Sequence, residues 1–305
     1  MKILHTLDEL AALNRPVHVA VGVFDGVHLG HQHVIGEAVA SNAASVALTF
    51  EPHPVRVLAP DKAPPLLTST PHKLALIEQL GVTATLVLAF DKTLAETSPE
   101  KFLEQLAAPA HRIQKICVGA NFRFGRKHAG NVPLMKQLAP QLGYTVAEIA
   151  SVHTPDGEMI SSSAVRAHAQ RGRLDRAAAM LGRPFSLLGT VVAGDNRGRE
   201  LGFPTANLDL HNEVLPPDGV YAARVQLGAE HRAAVVNIGE RPTFARATPQ
   251  RLIEVHILDF TGDLYGRDIE VALNQKLRGE IRFAGADALR RQIADDIALA
   301  RRILS

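Results

Sequence analysis

A single cysteine, Cys117, stands among 305 residues, so no disulfide can close within the chain. The N-terminus lacks the charged start, apolar run and small-residue cleavage site of a secretory signal. Long apolar runs are missing as well: Val82 to Phe90 is interrupted by threonines and falls far short of the roughly 20 residues a membrane helix needs. No excess of one charge is present either, with 33 basic against 31 acidic residues and a formal net charge of +2. Nothing in that balance resembles the concentrated basic surface that a nucleic-acid binder needs. The expectation is a cytoplasmic protein with no membrane span and no nucleic-acid partner, acting on small molecules.

What is present is enough for a sizeable core, since 46% of the residues are hydrophobic, and the length suits two domains. The first half alternates short β-rich apolar runs with segments of helical spacing, which predicts a parallel sheet. Its expected strands are Val17 to Val21, Val46 to Phe50, Ala84 to Phe90, Ile113 to Val118 and Tyr144 to Ile149. Between them, Thr70-Pro71 reads as a helix start and Gly81 as a stop, bounding a crossover helix with Leu74, Ile77 and Leu80. After about Leu181 glycine and proline recur every few residues and the apolar runs alternate. Expected strands at Leu187 to Val192, Val220 to Gln226, Ala233 to Ile238, Leu252 to Asp259 and Ile269 to Leu273 predict a small antiparallel barrel. Leu289, Ile293, Ile297, Ala300 and Leu304 form one stripe of a closing C-terminal helix. The boundary is expected at Leu181-Gly182-Arg183-Pro184, giving domains 1–182 and 183–305, and a fragment beginning near Pro184 is expected to fold alone.

The first expected strand runs into Gly22-Val23-Phe24-Asp25-Gly26-Val27-His28-Leu29-Gly30-His31. Glycines at 22, 26 and 30 let backbone approach phosphate, and His28 and His31, three apart at a helix start, share a face. The helix N-terminus also attracts anions. Such imidazoles can stabilise charge on an α-phosphoryl group and on departing pyrophosphate without a covalent intermediate. The glycines do not match G-x-G-x-x-G. A metal site at His28, His31 and His33 lacks a carboxylate or thiolate at a usual ligand spacing. A plain strand-to-helix turn with surface histidines remains the other reading of these residues.

The whole string resembles the H-x-G-H signature of nucleotidyltransferases, in the form found in bacterial bifunctional riboflavin kinase/FMN adenylyltransferases. Further segments are similar to that family and arrive in its order: Thr49-Phe50-Glu51-Pro52-His53-Pro54, Val118-Gly119-Ala120-Asn121-Phe122-Arg123-Phe124-Gly125, and Ile160-Ser161-Ser162-Ser163-Ala164-Val165-Arg166. Each should lie beyond the carboxyl end of a strand, where open α/β sheets bind ligands. The serines can cap a helix or donate to phosphate, and Arg166 offers a planar charged donor to the β- and γ-phosphates. The resemblance implies a Rossmann-like nucleotidyltransferase domain in which Gly22, Phe24, Asp25, Gly30, Ser161, Ser162 and Ser163 bind ATP. His28, His31 and Arg166 would serve catalysis there. Asn121 would hydrogen-bond the substrate, while Phe122 and Phe124 could stack on the flavin or fill the core.

In the second half, Gly194-Asp195-Asn196-Arg197-Gly198-Arg199-Glu200-Leu201-Gly202-Phe203-Pro204-Thr205-Ala206-Asn207-Leu208 resembles the riboflavin kinase signature around Pro-Thr-Ala-Asn. Thr205 and Asn207, two apart in extended backbone, face one way and offer hard oxygens to one magnesium ion. Gly194 and Gly202 belong to a stretch whose N–H groups can hold phosphate. No G-x-x-x-x-G-K-[ST] occurs, so a kinase here is not a P-loop kinase. In Leu252 to Asp259, Glu254 shares a face with His256 opposite Ile253, Val255 and Ile257, which by itself suits an ordinary solvent-facing glutamate. The resemblance implies that Glu254 is the base. Lys276-Leu277-Arg278-Gly279-Glu280-Ile281-Arg282-Phe283 matches a segment thought to close over flavin, with Arg278 and Glu280 as contacts. The implied partners are ATP, riboflavin, FMN and FAD, with Mg2+ as cofactor.

Overall fold

The computed structural model describes residues 1–40, 42–194, 198, 201–228, 230–241 and 250–305. Of the second signature, Asp195, Asn196, Arg197, Arg199 and Glu200 therefore lie outside the described residues. By their contacts the residues form two units, Met1–Pro65 with Thr70–Ser162, and Leu66–Ser69 with Ser163–Ser305.

In the first unit the chain lays down β1 (Lys2–Leu4), β2 (Val17–Val21), β3 (Ala44–Glu51), β4 (Ala84–Ala89) and β5 (Ile113–Gly119). A small antiparallel ribbon follows, β6 (Arg123–Phe124) with β7 (Gly130–Asn131), and then β8 (Thr145–Ile149). The sheet runs β1-β4-β3-β2-β5-β8 and every pairing is parallel. Strands buried on both faces should be nearly all apolar, and β2 is buried along its whole length. Val19, Leu48 and Leu86 pack on one face with Phe102, Leu103 and Met135, while Ala20, Ala47 and Cys117 pack on the other with Ile35 and Ile77. A crossover helix forms at Thr70–Glu78, shorter than expected, with Leu80 beyond its end and Gly81 following at φ 79°. Its buried residues are His72, Lys73, Leu76 and Ile77.

The second unit carries helices Ser162–Gln170 and Leu174–Leu181, then β9 (Phe185–Val192), β10 (Ala206–Leu210), β11 (Gly219–Leu227), β12 (Glu230–Arg241), β13 (Gln250–Ile257) and β14 (Asp268–Arg278). These close into a barrel in the order β10-β13-β12-β11-β14-β9. Alternation does not anticipate β10 or the last turn of β14, Asn274 to Arg278. Pairing decides both: Asn207 sits opposite Val192 and Glu254, and Lys276 and Arg278 lie opposite Tyr221 and Val220. The closing helix, Ala286–Leu304, packs Ala300 and Leu304 onto Val220, Ala222 and Val235. Leu66–Ser69 adds to this unit: Leu66 N–H donates to Glu213, the Leu66 carbonyl accepts from the N–H of Glu213 and Val214, and the Asn212 amide donates to the Leu67 carbonyl.

Candidate functional site

In the sheet of the first unit the strand order reverses at β2, with β3 and β4 to one side and β5 and β8 to the other. Open α/β sheets bind ligands in the crevice at the carboxyl end of such a point. The chain leaves β2 there through Gly22 to His28 and enters the helix Leu29–Val39. The turn is tightly wound, with Phe24 at φ 55°, Gly26 at φ 81° and Val27 at φ 42°. A β-branched residue in the left-handed region costs about 1–3 kcal/mol and persists only where the surroundings over-determine it. They do so here: Gln32 Nε2 donates to the Val27 carbonyl (3.0 Å), the Thr49 hydroxyl to the Val23 carbonyl (2.9 Å) and the Ser162 hydroxyl to the Asp25 carbonyl (2.8 Å).

His28 is the N-cap of that helix, and its Nδ1 accepts from the backbone N–H of His31 at 3.3 Å. An accepting Nδ1 places the proton of the neutral ring on Nε2, so the cap fixes which nitrogen can donate to a ligand. The His28 and His31 rings stack with centroids 3.6 Å apart, and Phe24 meets His31 edge-on at 5.3 Å. A Cβ on Gly22 would come within 2.6 Å of the Phe24 ring and force it to shift, and one on Gly30 would sit tightly, 3.1 Å from the His28 ring, so both glycines give these rings their room. His31 is half-buried as a residue, but its Nδ1 is enclosed and has no hydrogen-bond partner among the described residues. Burial first, then electrostatic repulsion from His28 and Lys73 of any added proton, hold its pKa well below the usual imidazole value. A neutral imidazole at pH 7 follows.

Asp25, in the same turn, is buried. Ser161 and Ser162 end the same unit, whereas Ser163 and Arg166 lie on the helix Ser162–Gln170 and group with the second unit, Arg166 being buried. Exposed Asn121, after β5, donates to the Ser151 hydroxyl at 3.3 Å. Phe124 belongs to the core against Phe102, with half-buried Phe122 stacked on it at 5.4 Å.

The second unit holds a cavity of about 600 Å³ on the outer face of the barrel, under Leu289, Ile293 and Asp296 of the closing helix. One rung of the barrel builds its floor. Asn207 pairs with Glu254, Glu254 with Asn237, Asn237 with Val220 and Val220 with Arg278, and all five line the cavity. Ile253, Val255 and Ile257 point the other way and are buried, as the alternation requires. No donor engages the Glu254 carboxylate among the described residues. His256, also lining the cavity, is anchored by Nδ1 to the Pro204 carbonyl at 2.7 Å.

Thr205 and Asn207 both face this cavity, and the donors they bring are neutral hard oxygens. Their side chains press on Gly194 and Gly198: a Cβ on Gly194 would collide with the Asn207 amide, and one on Gly198 would lie 3.0 Å from Thr205 Oγ1. No group of three or more His, Cys, Asp or Glu side chains forms a metal cage among the described residues. A magnesium ion, which keeps waters and takes few protein ligands when phosphates supply the rest, fits that donor set. Gly202 has φ 88°, and Glu280 reaches back against Gly239. Thr205 also lines a second cavity of about 270 Å³, with Pro204, Val255, Ile257 and Tyr265.

Three residues of these sites escape sequence reasoning. Asn237 shows its place only through register with Glu254. Asp296 accepts from Arg278 Nε at 3.0 Å and Nη2 at 2.8 Å, both side chains being largely buried. Its one legible trace is an acid inside the apolar stripe of the closing helix. Lys73 is a buried cation on the crossover helix, which the expected apolar spacing passes over.

Two family models match the chain: FAD synthetase over residues 10–164 and riboflavin kinase over residues 181–304. Among curated proteins, a bifunctional riboflavin kinase/FMN adenylyltransferase of Escherichia coli K12 is 40% identical over 93% of this chain and 91% of its own length. One of the same description from Bacillus subtilis is 38% identical over 94% of the chain and 92% of its own length. Among solved structures, a crystal structure of a macrolide-efflux protein from Streptococcus pneumoniae superposes with a TM-score of 0.79 at 27% identity, over 94% of each chain. Among the described residues no helix is long and apolar enough to cross a membrane.

Proposed function

The chain belongs to the family of bifunctional riboflavin kinase/FMN adenylyltransferases, and from that membership we propose how its residues divide the two reactions. One is ATP-dependent phosphorylation of riboflavin to FMN, the other adenylyl transfer from ATP to FMN, which gives FAD and pyrophosphate. We assign the first to residues 183–305 and the second to residues 1–182, both acting in the cytoplasm.

For adenylyl transfer, ATP lies over the turn after β2. The FMN phosphate attacks the α-phosphorus and pyrophosphate leaves, with no bond to the protein. His28 donates from Nε2, and the N-terminal N–H groups of the helix Leu29–Val39 donate beside it, to the α-phosphoryl oxygens as their charge grows. His31, neutral and stacked on His28, holds that ring in place. Gly22, Phe24, Asp25 and Gly30 shape the cradle, Ser161, Ser162, Ser163 and Arg166 bind the outer phosphates, and Asn121 and Phe122 meet the flavin.

For the kinase, ATP takes the smaller cavity and riboflavin the larger, with Thr205 facing both. Thr205 and Asn207 hold magnesium, which when bound offsets the charge of the transferring phosphate. Gly194 and Gly202 bring backbone to the phosphates, Arg278 and Glu280 flank the flavin, and Glu254 accepts the proton of the ribityl 5′-hydroxyl. The observation that supports this reading is the register of Asn207 with Glu254, which puts the two side chains next to each other at the cavity wall. In phosphoryl transfer, positioning and electrostatics contribute most, so adjacency counts for more than basicity.

The test is to incubate the protein with riboflavin and Mg-ATP and separate the flavins. FMN and FAD should both form. With His28→Ala the product should stall at FMN, and equal loss of both activities in a folded protein would refute separate sites.

A further inference from the structure

Lys73 is 5% exposed, and its ammonium donates to the Thr49 hydroxyl (3.0 Å), the Val23 carbonyl (3.3 Å) and the Phe50 carbonyl (3.4 Å). All three acceptors are neutral, and no carboxylate lies within ion-pairing distance among the described residues. Buried charges are ordinarily paired, because desolvation without a counter-charge is costly. Burial accordingly lowers the pKa of Lys73, opposed by Glu51 at the end of β3 and Asp25 in the turn, which face it from farther off. The acceptors also have an order. Val23 lies in the turn that leads to His28, while Thr49 and Phe50 lie at the carboxyl end of β3. One ammonium thus ties two strand ends together at the switch point, and Thr49 closes the knot by donating to the same Val23 carbonyl.

Resting on the reading of this turn as the ATP site of adenylyl transfer, we propose that Lys73 is a positioning residue for that reaction. It fixes the turn from Gly22 to His28, and with it the His28/His31 pair, and it supplies a buried positive charge that a bound phosphate chain balances. Its ammonium makes no claim on the reacting atoms. The charge has a second effect, on His31, where burial, His28 and Lys73 all disfavour the imidazolium. Removing the lysine charge relaxes one of these influences and raises the His31 pKa toward its ordinary value. His31 then protonates at higher pH, and the acid limb of the adenylylation profile moves up with it. A lysine that merely braced the helix would leave that limb where it is.

The experiment uses the full chain. In Lys73→Met, the kcat/KM for ATP in FMN adenylylation should fall roughly 10- to 100-fold, the range for losing hydrogen bonds to a charged group. The acid limb should move to higher pH while riboflavin phosphorylation stays unchanged. Lys73→Arg, which keeps the charge, should recover part of the rate and return the limb. Thr49→Val removes an acceptor but no charge, so it should lower the rate modestly with the limb in place. Adenylylation within twofold of wild type in Lys73→Met overturns the proposal, as does a loss with an unmoved limb that arginine fails to relieve. If His28→Ala also leaves adenylylation intact, the reading of the turn itself has failed. If His28→Ala abolishes it and Lys73→Met spares it, only the role of Lys73 is lost.

Discussion

Replacing Asp296 by asparagine keeps the shape of the side chain and removes one partner of an enclosed ion pair. The Asp296 side chain is 5% exposed and that of Arg278 17%, with three contacts between them at 2.8 to 3.0 Å and a fourth hydrogen bond from Gln292. Removing one partner of a buried pair costs about 3–5 kcal/mol, because the remaining charge is left without compensation. Asparagine keeps one acceptor and Arg278 can turn toward the cavity, so about 3 kcal/mol is expected. The loss falls on the helix Ala286–Leu304, whose other buried residues are Ala300 and Leu304. Amide hydrogen exchange reads such local opening directly, and about 3 kcal/mol corresponds to exchange faster by roughly a hundredfold. Arg278, released, should also loosen residues 279–283 over the cavity and raise the KM for riboflavin more than it lowers kcat. Exchange less than about fivefold faster, with an unchanged KM, would put the pair at the worth of a surface ion pair and refute the reasoning.

Glu254→Gln should lower riboflavin phosphorylation by about 10²- to 10⁴-fold, the usual contribution of a positioned base, and toward the lower figure because a loose transition state asks little deprotonation early on. FMN adenylylation should be untouched, and more than about half of wild-type turnover would make Glu254 a bystander or an orienting group. Asn207→Ala should demand more magnesium for phosphorylation and be partly relieved by it. A normal magnesium dependence in that variant would exclude the coordination.

Periodicity and motif spacing anticipate much of this molecule. Val17 to Val21 reads as a buried strand because parallel strands covered on both faces are nearly all apolar, and β2 is such a strand with His18 as its one polar residue. Glu254 and His256 share a face because strands alternate strictly, and both reach the cavity. What stays hidden depends on pairing at long separation. Asn207 reads as a motif residue in extended backbone but not as part of a paired strand, since its partners Val192 and Glu254 lie distant in sequence. Asn237 is one polar residue in an apolar run until register sets it beside Glu254. Lys73 is invisible for the opposite reason. A lysine in an amphipathic helix is expected to face water, and the oxygens that hold this one come from segments distant in sequence.

Leu66–Ser69 has a practical bearing on any attempt to transplant the barrel. Those residues count with the barrel by contact, and buried Asn212 joins them to it, accepting from Leu188 N–H while donating to the Leu67 carbonyl. A gene cut once near Pro184 leaves that strip behind. The Asn212 amide and the N–H groups of Glu213 and Val214 then lose their acceptors, at about 1–3 kcal/mol for each that stays buried. A portable version of the barrel is thus better made as a splice than as a truncation, with residues 66–69 carried along on a short tether to meet Asn212.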